Sequence, residues 1–592
     1  MCGISGVFLN IKNKNSKGLE QAVERMNQSQ FRRGPDDKGV FVDVKTGVAF
    51  GHNRLSIIDL SKAGHQPMGY KIKNYDLWIT FNGEIYNFLD LKKDLEKKGH
   101  KFKTKTDTEV ILALYAEYGE KSFSMLRGMF AFGLWDGKAK KLFLVKDRYG
   151  IKPLYYYSDN GELVFASTVK AIIESDLIPV EKNPGAFIGF LLFGSVPLPM
   201  TTIKNVFATP AGHYIEASVA ASGGLNLKKV KYYEPLEFFQ NKDNVSFGEV
   251  PENIKQLLNK SVDYHLISDA PLGVFLSGGL DSSAIAALAR RSIGEGGLPL
   301  TTLSIVFDEP EFSEQKYQRL VAQKIKSDHR EIKITQKDFF DSFGEIFEAM
   351  DQPTIDGVNS FFIAKAAKEA GLKAVLSGLG ADEIFLGYPH FRRAELLKKI
   401  QKLPKILKFP LKLVSLMGDR YSKLNYFINS DDLSFYLGIR GLFSPQETAK
   451  ILDINLSEVK NFIDEFSCGQ ATGKLHPVDL LSYLELKFYL QNQLLKDTDF
   501  MSMYHSIEVR VPFLDHKLAE YVSNLPPEIK LGNKINKPLL VESVRDLLPE
   551  EIFTRSKMGF TFPFQKWMRK IDSDFSGGHW SRFWAKKVLN KF

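Results

Sequence analysis

The sequence predicts a mixed α+β domain followed by a parallel α/β domain. From Val40 to Phe165 short β-like runs, such as Leu77–Phe81 and Leu142–Val145, are punctuated by Gly and Asn-Gly turns. After about residue 250 the rhythm becomes helix, short apolar strand, glycine-containing turn, helix, which is the signature of a parallel sheet. The length of 592 residues leaves room for both, at roughly 100–200 residues per domain.

One helix interrupts the β-rich part. Thr106-Asp107-Thr108-Glu109 has a capping-box pattern, Val110, Leu112, Leu114 and Tyr115 supply the apolar positions, and Gly119 is a C-terminal stop. The small-residue stretch Ala217 to Gly224 and the polar stretch Asn241 to Gly248 mark a boundary zone. The chain therefore divides into a domain at 2–215, a connection at 216–248 and a domain at 249–592. In the last of these, Gly273-Val274-Phe275-Leu276 and Ala374-Val375-Leu376 read as buried strands, Ala284 to Arg291 as a helix, and the part from Phe391 onward as mostly helical without an internal repeat.

Composition excludes several classes. With 44% hydrophobic and 25% charged residues the chain is globular rather than disordered. Its net charge of +9 is small for this size and mixed along the chain, so no nucleic-acid surface is expected. The apolar run Ala186 to Pro199 is broken by glycine and proline and falls short of the roughly 18 residues of a spanning helix. Two cysteines, Cys2 and Cys468, make no disulfide framework, and the N-terminus lacks the basic and apolar regions of a signal peptide, so a cytoplasmic setting is expected. Cys468 lies outside every motif and reads as structural.

Cys2 has chemistry available to it. Removal of Met1 leaves a thiol and a free α-amine on one residue; with unperturbed pKa values of about 8.5 and 7.7–8.0, the amine can serve the thiol as general base. Taken alone, such a cysteine is more simply a small buried hydrophobe. It is not alone. Cys2-Gly3-Ile4-Ser5-Gly6, Arg33-Gly34-Pro35-Asp36, Arg54-Leu55-Ser56-Ile57 and Asn82-Gly83-Glu84-Ile85-Tyr86-Asn87 together resemble the class II glutamine amidotransferases over about the first 200 residues.

That resemblance implies an N-terminal-nucleophile (αββα) fold and a catalytic set of Cys2, Asn82 and Gly83. Asn82 and the Gly83 N–H would form the oxyanion hole, where one donor contributes on the order of 3 kcal/mol. Arg54 would take the carboxylate of glutamine, and Glu84 and Asp107 its ammonium. The family reads His-Arg-Gly-Pro-Asp where this chain has Arg32 before Arg33, so the loop over the glutamine pocket is expected to pack differently.

A second pattern follows the strand ending at Leu276. Leu276-Ser277-Gly278-Gly279-Leu280-Asp281-Ser282-Ser283 is a glycine-rich turn entering a helix, a shape that offers backbone N–H groups to phosphate oxygens. There is no Walker A sequence. The string resembles the PP-loop of the ATP pyrophosphatases, a Rossmann-like domain that transfers AMP and releases pyrophosphate. The resemblance implies ATP contacts at Leu276, Ser277, Gly278, Gly279, Asp281, Ser282, Ile305, Ser377, Gly378 and Lys557, and Mg2+ held by Asp281 and Asp382.

The two halves in one chain, with the string Ser502 to Asp515, resemble the glutamine-hydrolysing asparagine synthetases. Implied are glutamine, ATP and aspartate as substrates, passage of ammonia between the sites, an aspartyl-adenylate, and a homodimer. The chain departs from the family at Leu379, where Ser-Gly-Glu-Gly carries a glutamate thought to deprotonate the attacking ammonia. Either Asp351 or Asp356 supplies that carboxylate, or the acceptor is another acid, such as a uronic acid in surface-polysaccharide synthesis. An inactive scaffold or glutamine-sensing module is the non-enzymatic alternative.

One further segment stands apart. Lys398, Lys399, Lys402, Lys405, Lys408 and Lys412 are interleaved with Leu403, Ile406, Leu407, Phe409 and Leu411. Such a segment can touch an anionic membrane surface. Pro404 and Pro410 break a long helix there, and the preferred reading is a solvated lysine face over the core.

Overall fold

The computed structural model describes residues 2–592 except 10–15, 73–74, 160, 221–223, 243–244, 295–296, 298, 416–420, 467–474, 533–534, 560–561 and 569–578. Cys468 falls outside the described residues.

Twelve described strands build the first domain: β1 (Gly3–Leu9), β2 (Asp37–Asp43), β3 (Val48–Arg54), β4 (Met68–Ile72), β5 (Tyr75–Ile85), β6 (Gly128–Asp136), β7 (Lys141–Lys146), β8 (Tyr155–Asp159), β9 (Glu162–Ala166), β10 (Val206–Ala208), β11 (His213–Val219) and β12 (Leu225–Lys231). They form two six-stranded sheets, in the orders β10-β8-β9-β1-β3-β2 and β12-β11-β7-β6-β5-β4. Ile4, Phe8, Phe50, Trp135, Leu144 and Phe165 fill the space between the sheets. Leu19, Val23 and Met26 of the helix Ser16–Ser29 cover one outer face, and Val110 and Leu114 of the helix Asp107–Tyr118 cover the other. This gives the αββα order of layers. It also explains why β1 is buried along its whole length instead of alternating: it has packing partners on both faces.

The helix Asp107–Tyr118 starts and stops where its sequence indicates, with half of the capping box. Thr106 Oγ1 accepts the Glu109 N–H at 3.3 Å, but the Glu109 carboxylate accepts the N–H groups of Lys103 and Thr104 rather than that of Thr106. Gly119 ends the helix at φ 59°.

Within the segment expected as a connection, 216–248, β11 and β12 pair antiparallel, registered Glu216 to Lys228, and β11 also pairs with β7, so both strands extend the second sheet.

The second domain carries a parallel sheet, β13 (Leu272–Phe275), β14 (Thr301–Val306), β15 (Asp328–Lys333), β16 (Ala374–Leu376) and β17 (Glu508–Arg510), in the order β15-β14-β13-β16-β17. β17 lies in a region read as helical; three residues show no period, and only pairing with β16 makes them a strand. From β13 the sheet grows in both directions, so the C-terminal ends of β13 and β16 face a crevice at the switch point where α/β sheets hold ligands.

The domains are joined by an apolar seam and by buried ion pairs. Leu55 and Ile57 pack with Ala270, Ala374 and Met503. Arg127 reaches both oxygens of Asp515, at 2.6 and 2.8 Å. The apolar run at 186–199 supplies the buried helix Pro184–Phe193, and no helix among the described residues is long and apolar enough to cross a membrane.

In the basic segment Lys399 and Lys402 are exposed, as a solvated lysine face requires, while Lys398 and Lys408 turn inward. Lys398 is buried with its ammonium on Asp432 at 2.7 Å and Gln401 at 2.8 Å, and Lys408 donates inward to the Ile428 carbonyl. Leu403, Ile406, Leu407 and Phe409 are exposed. Pro404 ends the helix Ala394–Lys402 and a tight turn follows, so the side chains keep no common helical face.

Candidate active site

Cys2 directly precedes β1 and is buried, linked through Arg33 to Asp499 of the second domain. Its backbone N–H donates to Asn82 Oδ1 at 3.0 Å, and its carbonyl accepts from Arg33 Nε at 3.2 Å. Burial pushes the thiol pKa up, opposed by the Leu55 N–H and by Arg54. Asn82 Nδ2 is buried without a hydrogen-bond partner, a donor held ready beside the cysteine. Gly83 has φ 151°, and a Cβ there would strike the Met129 carbonyl, so glycine is required where β5 bends past β6.

Of the other residues expected at this site, Arg54 and Glu84 lie close enough to act on the Cys2 thiol electrostatically. The Arg54 guanidinium is wrapped by the loop after β3, donating to the carbonyls of Ser61 (2.8 Å), Ile58 and Asp59. Asp107 accepts the Ile85 N–H at 2.9 Å, and burial pushes its carboxyl up to about 6. Glu84 is buried near Arg510 Nη2, at 3.5 Å; burial and then the charge of Glu508 hold its pKa well above the carboxylate range. Arg510 and Glu508 come from the second domain, bonded to each other at 2.6 Å.

Arg32, which departs from the family pattern, lies over the Tyr504 ring at 4.1 Å, and its carbonyl accepts from Ser506. The loop is thus held by the second domain.

The second site is a cavity of about 1180 Å3 at the switch point. Leu276, Ser277, Asp281, Ser282, Ile305, Ser377, Gly378, Asp382 and Lys557 all line it; Gly278 and Gly279 do not. Gly279 instead caps the helix Leu280–Ile293, and Gly278, at φ 81°, turns the loop. Ser277 and Ser282 hydroxyls bond at 2.9 Å, so the loop closes on itself, and the Gly278 carbonyl is held by Arg555, which also pairs with Glu314.

Asp281 and Asp382 converge on one buried cation, Lys537. Its Nζ lies 2.6 Å from both Asp281 oxygens and 2.5 Å from Asp382 Oδ1. Lys557 also pairs with Asp382. Sequence reasoning missed Lys537, Arg555, Glu383 and Arg510. Lys537 sits in no loop motif; its signal is only the charge that two neighbouring half-buried carboxylates require.

Of the carboxylates expected to replace the missing glutamate, Asp351 is excluded from the cavity's lining. Its oxygens accept the N–H groups of Val169 and Lys170, at 2.9 and 3.0 Å, at the start of the helix Val169–Glu174. Asp356 lines the cavity, with Oδ1 on the Gly357 N–H at 2.8 Å. Leu379 lines it too, as do Glu383 and Asp497.

One helix, Leu495–Tyr504, touches both sites. Asp499 holds Arg33 behind Cys2 with two bonds, at 2.7 and 3.3 Å, and Asp497, two residues earlier, lines the cavity.

An αββα sandwich opening on a buried cysteine, fused to a parallel sheet with a glycine turn at its switch point, defines an N-terminal-nucleophile amidotransferase joined to a PP-loop domain. Comparison with known proteins narrows the class. Residues 1–233 match the glutamine amidotransferase domain family and residues 253–575 the asparagine synthase family. The chain is 33% identical over 96% of its length to asparagine synthetase [glutamine-hydrolyzing] 1 of Bacillus subtilis, covering 88% of that protein. It is 32% identical to asparagine synthetase [glutamine-hydrolyzing] 3 of the same organism, over 97% of this chain and 90% of that one. Amidase chry2 of Gibberella zeae is 28% identical over 96% of this chain and 90% of its own. The chain belongs to the asparagine synthase family.

Proposed function

We propose that this protein is an ATP-dependent, AMP-forming carbon–nitrogen ligase that takes its nitrogen from glutamine and makes asparagine from aspartate. The observation that carries the reading is the shared helix Leu495–Tyr504, which couples the pocket of Cys2 to the cavity of Asp281 and Asp382. A cytoplasmic setting fits a chain with two cysteines.

In the first site the α-amine of a processed Cys2 takes the thiol proton, and the thiolate attacks the glutamine amide carbon. Asn82 Nδ2, unpartnered in the protein, and the Gly83 N–H receive the oxyanion. Arg54 holds the glutamine carboxylate, and Glu84 and Asp107 its ammonium. The α-ammonium returns that proton to the amide nitrogen, which leaves as ammonia as the C–N bond breaks, and water then releases glutamate from the thioester.

In the second site ATP lies along Leu276, Ile305 and Gly378 with its phosphates toward the Ser277–Ser282 turn, and the acceptor carboxylate attacks the α-phosphorus to expel pyrophosphate. Lys557 neutralises developing charge on the phosphates. Asp281 and Asp382 fit a hard divalent cation, since both already close on the single positive charge of Lys537. Mg2+ bound there would neutralise the leaving pyrophosphate. Ammonia then displaces AMP from the acyl-adenylate.

A second reading has its own support. Leu379 presents an apolar side chain to the cavity where a carboxylate is expected, which favours an acceptor other than aspartate, such as a uronic acid. Pyrophosphate release from ATP, measured with glutamine and Mg2+ with and without aspartate, and mass-spectrometric identification of the product, separate the two. Aspartate-dependent pyrophosphate with asparagine formed, and loss of the glutamine-supported reaction in Cys2→Ala, are the expected results. Glutaminase activity with no response to aspartate refutes the asparagine reading and sends the acceptor screen to sugar acids.

A further inference from the structure

We propose that Asp497 is the proton acceptor for the nitrogen entering the second site, in the role that Leu379 leaves without a carboxylate. The proposal rests on the amide-forming reading above.

Asp497 lines the cavity and is 2% exposed. Its Oδ2 accepts the Thr354 hydroxyl at 2.5 Å, whereas Oδ1 is buried without a hydrogen-bond partner. The other carboxylates there are engaged. Asp281 and Asp382 share Lys537, Glu383 accepts the Tyr388 hydroxyl at 2.7 Å, and Asp356 accepts both the Gly357 N–H and the Gln493 side chain. An unpaired buried carboxylate oxygen is costly, and a proton-bearing nitrogen arriving in the cavity would satisfy it.

Its position fits the direction of arrival. Residues two apart on a helix point to opposite sides, so Asp499 faces Arg33 and Cys2 while Asp497 faces the cavity. Lys496, just before Asp497, donates to the Val196 carbonyl of the first domain at 3.2 Å. Asp497 thus stands on the helix that also holds Arg33 and, through it, Cys2.

Its protonation is suited to the work. Burial pushes the carboxyl up to about 8, with the Lys496 ammonium opposing and Asp356 adding to the rise. Such a group accepts and releases a proton near neutrality. In the step proposed, the nitrogen lone pair forms the N–C bond and the carbonyl π pair moves to oxygen. One N–H proton passes to Asp497 Oδ1. The oxygen pair restores C=O as the C–O bond to the phosphate breaks, and AMP leaves with that bonding pair. Asp497 returns its proton to water when the product departs.

The test is Asp497→Asn, assayed for glutamate, pyrophosphate and amide product together across pH. Expected are glutamate release and single-turnover, acceptor-dependent pyrophosphate release within about twofold of wild type, amide formation down on the order of 100-fold, and loss of the acidic limb of its pH profile. Adding Leu379→Glu to Asp497→Asn is expected to recover at least about tenfold of the lost amide. Amide formed at the wild-type rate with an unchanged profile overturns the proposal. So does loss of pyrophosphate release in both Asp497→Asn and Asp497→Glu, which marks a structural role. Wild-type protein that releases pyrophosphate with aspartate yet makes no asparagine overturns the function reading and this proposal together, a result distinct from one confined to the variant.

Discussion

Arg33 grips Asp499 with two nitrogens while its third, Nε, holds the carbonyl of Cys2. Both partners are buried, so the pair is sensitive to loss of either member, at about 3–5 kcal/mol. A second-domain carboxylate therefore sets the position of the first-domain nucleophile. Asp499→Asn is expected to lower glutamate release on the order of 100-fold through misplacement of Cys2, with ammonium-supported product formation retained. Equal loss of both activities would refute this coupling.

Asn82 holds the Cys2 nitrogen with its oxygen and leaves its amide nitrogen unpartnered. In Asn82→Ala the kcat of glutamine hydrolysis should fall about 10²–10³-fold, while ammonium-supported synthesis is unaffected. Steady-state glutamate release, compared with the same protein given ammonium chloride, measures it.

The pH dependence of glutamine use follows from Asp107. Burial raises its carboxyl to about 6, with the Ile85 N–H opposing. Only the ionised form attracts the glutamine ammonium, and a raised pKa means that the proton is taken up earlier as pH falls. The KM for glutamine is expected to rise as pH falls below about 6, near tenfold per pH unit. Asp107→Asn should raise KM at pH 8 and remove the dependence.

Lys537 joins Asp281 to Asp382. Replacing it by an uncharged side chain, as in Lys537→Met, leaves two half-buried carboxylates without their shared cation, Asp382 keeping Lys557, and should cost about 1–3 kcal/mol in denaturant-induced unfolding. A divalent cation binding the same two carboxylates supplies the lost charge, so Mg2+ should stabilise Lys537→Met more than wild type. Equal Mg2+ effects in the two proteins would count against metal binding by this pair.

Much of this protein was legible in its residues. Cys2, Asn82-Gly83 and Leu276–Ser283 are contiguous strings whose chemistry is carried by near neighbours, and the cap at Thr106 and stop at Gly119 act within one helical turn. Local signals fail where a segment is too short to show a period, as Glu508–Arg510 is.

By itself the sequence determined the two fold classes, the order of the domains and the glycine turn, because backbone propensity and short-range hydrogen bonding act between neighbours in the chain. The tertiary structure decided what those groups face. It brought Asp499 to Arg33 across 466 residues and Lys537 to Asp281 across 256, removed Asp351 from the cavity, and gave Asp497 an unshared oxygen. Whether a charge is paired, strained or free to take a proton depends on burial and on distant partners, and those exist only once the chain has folded.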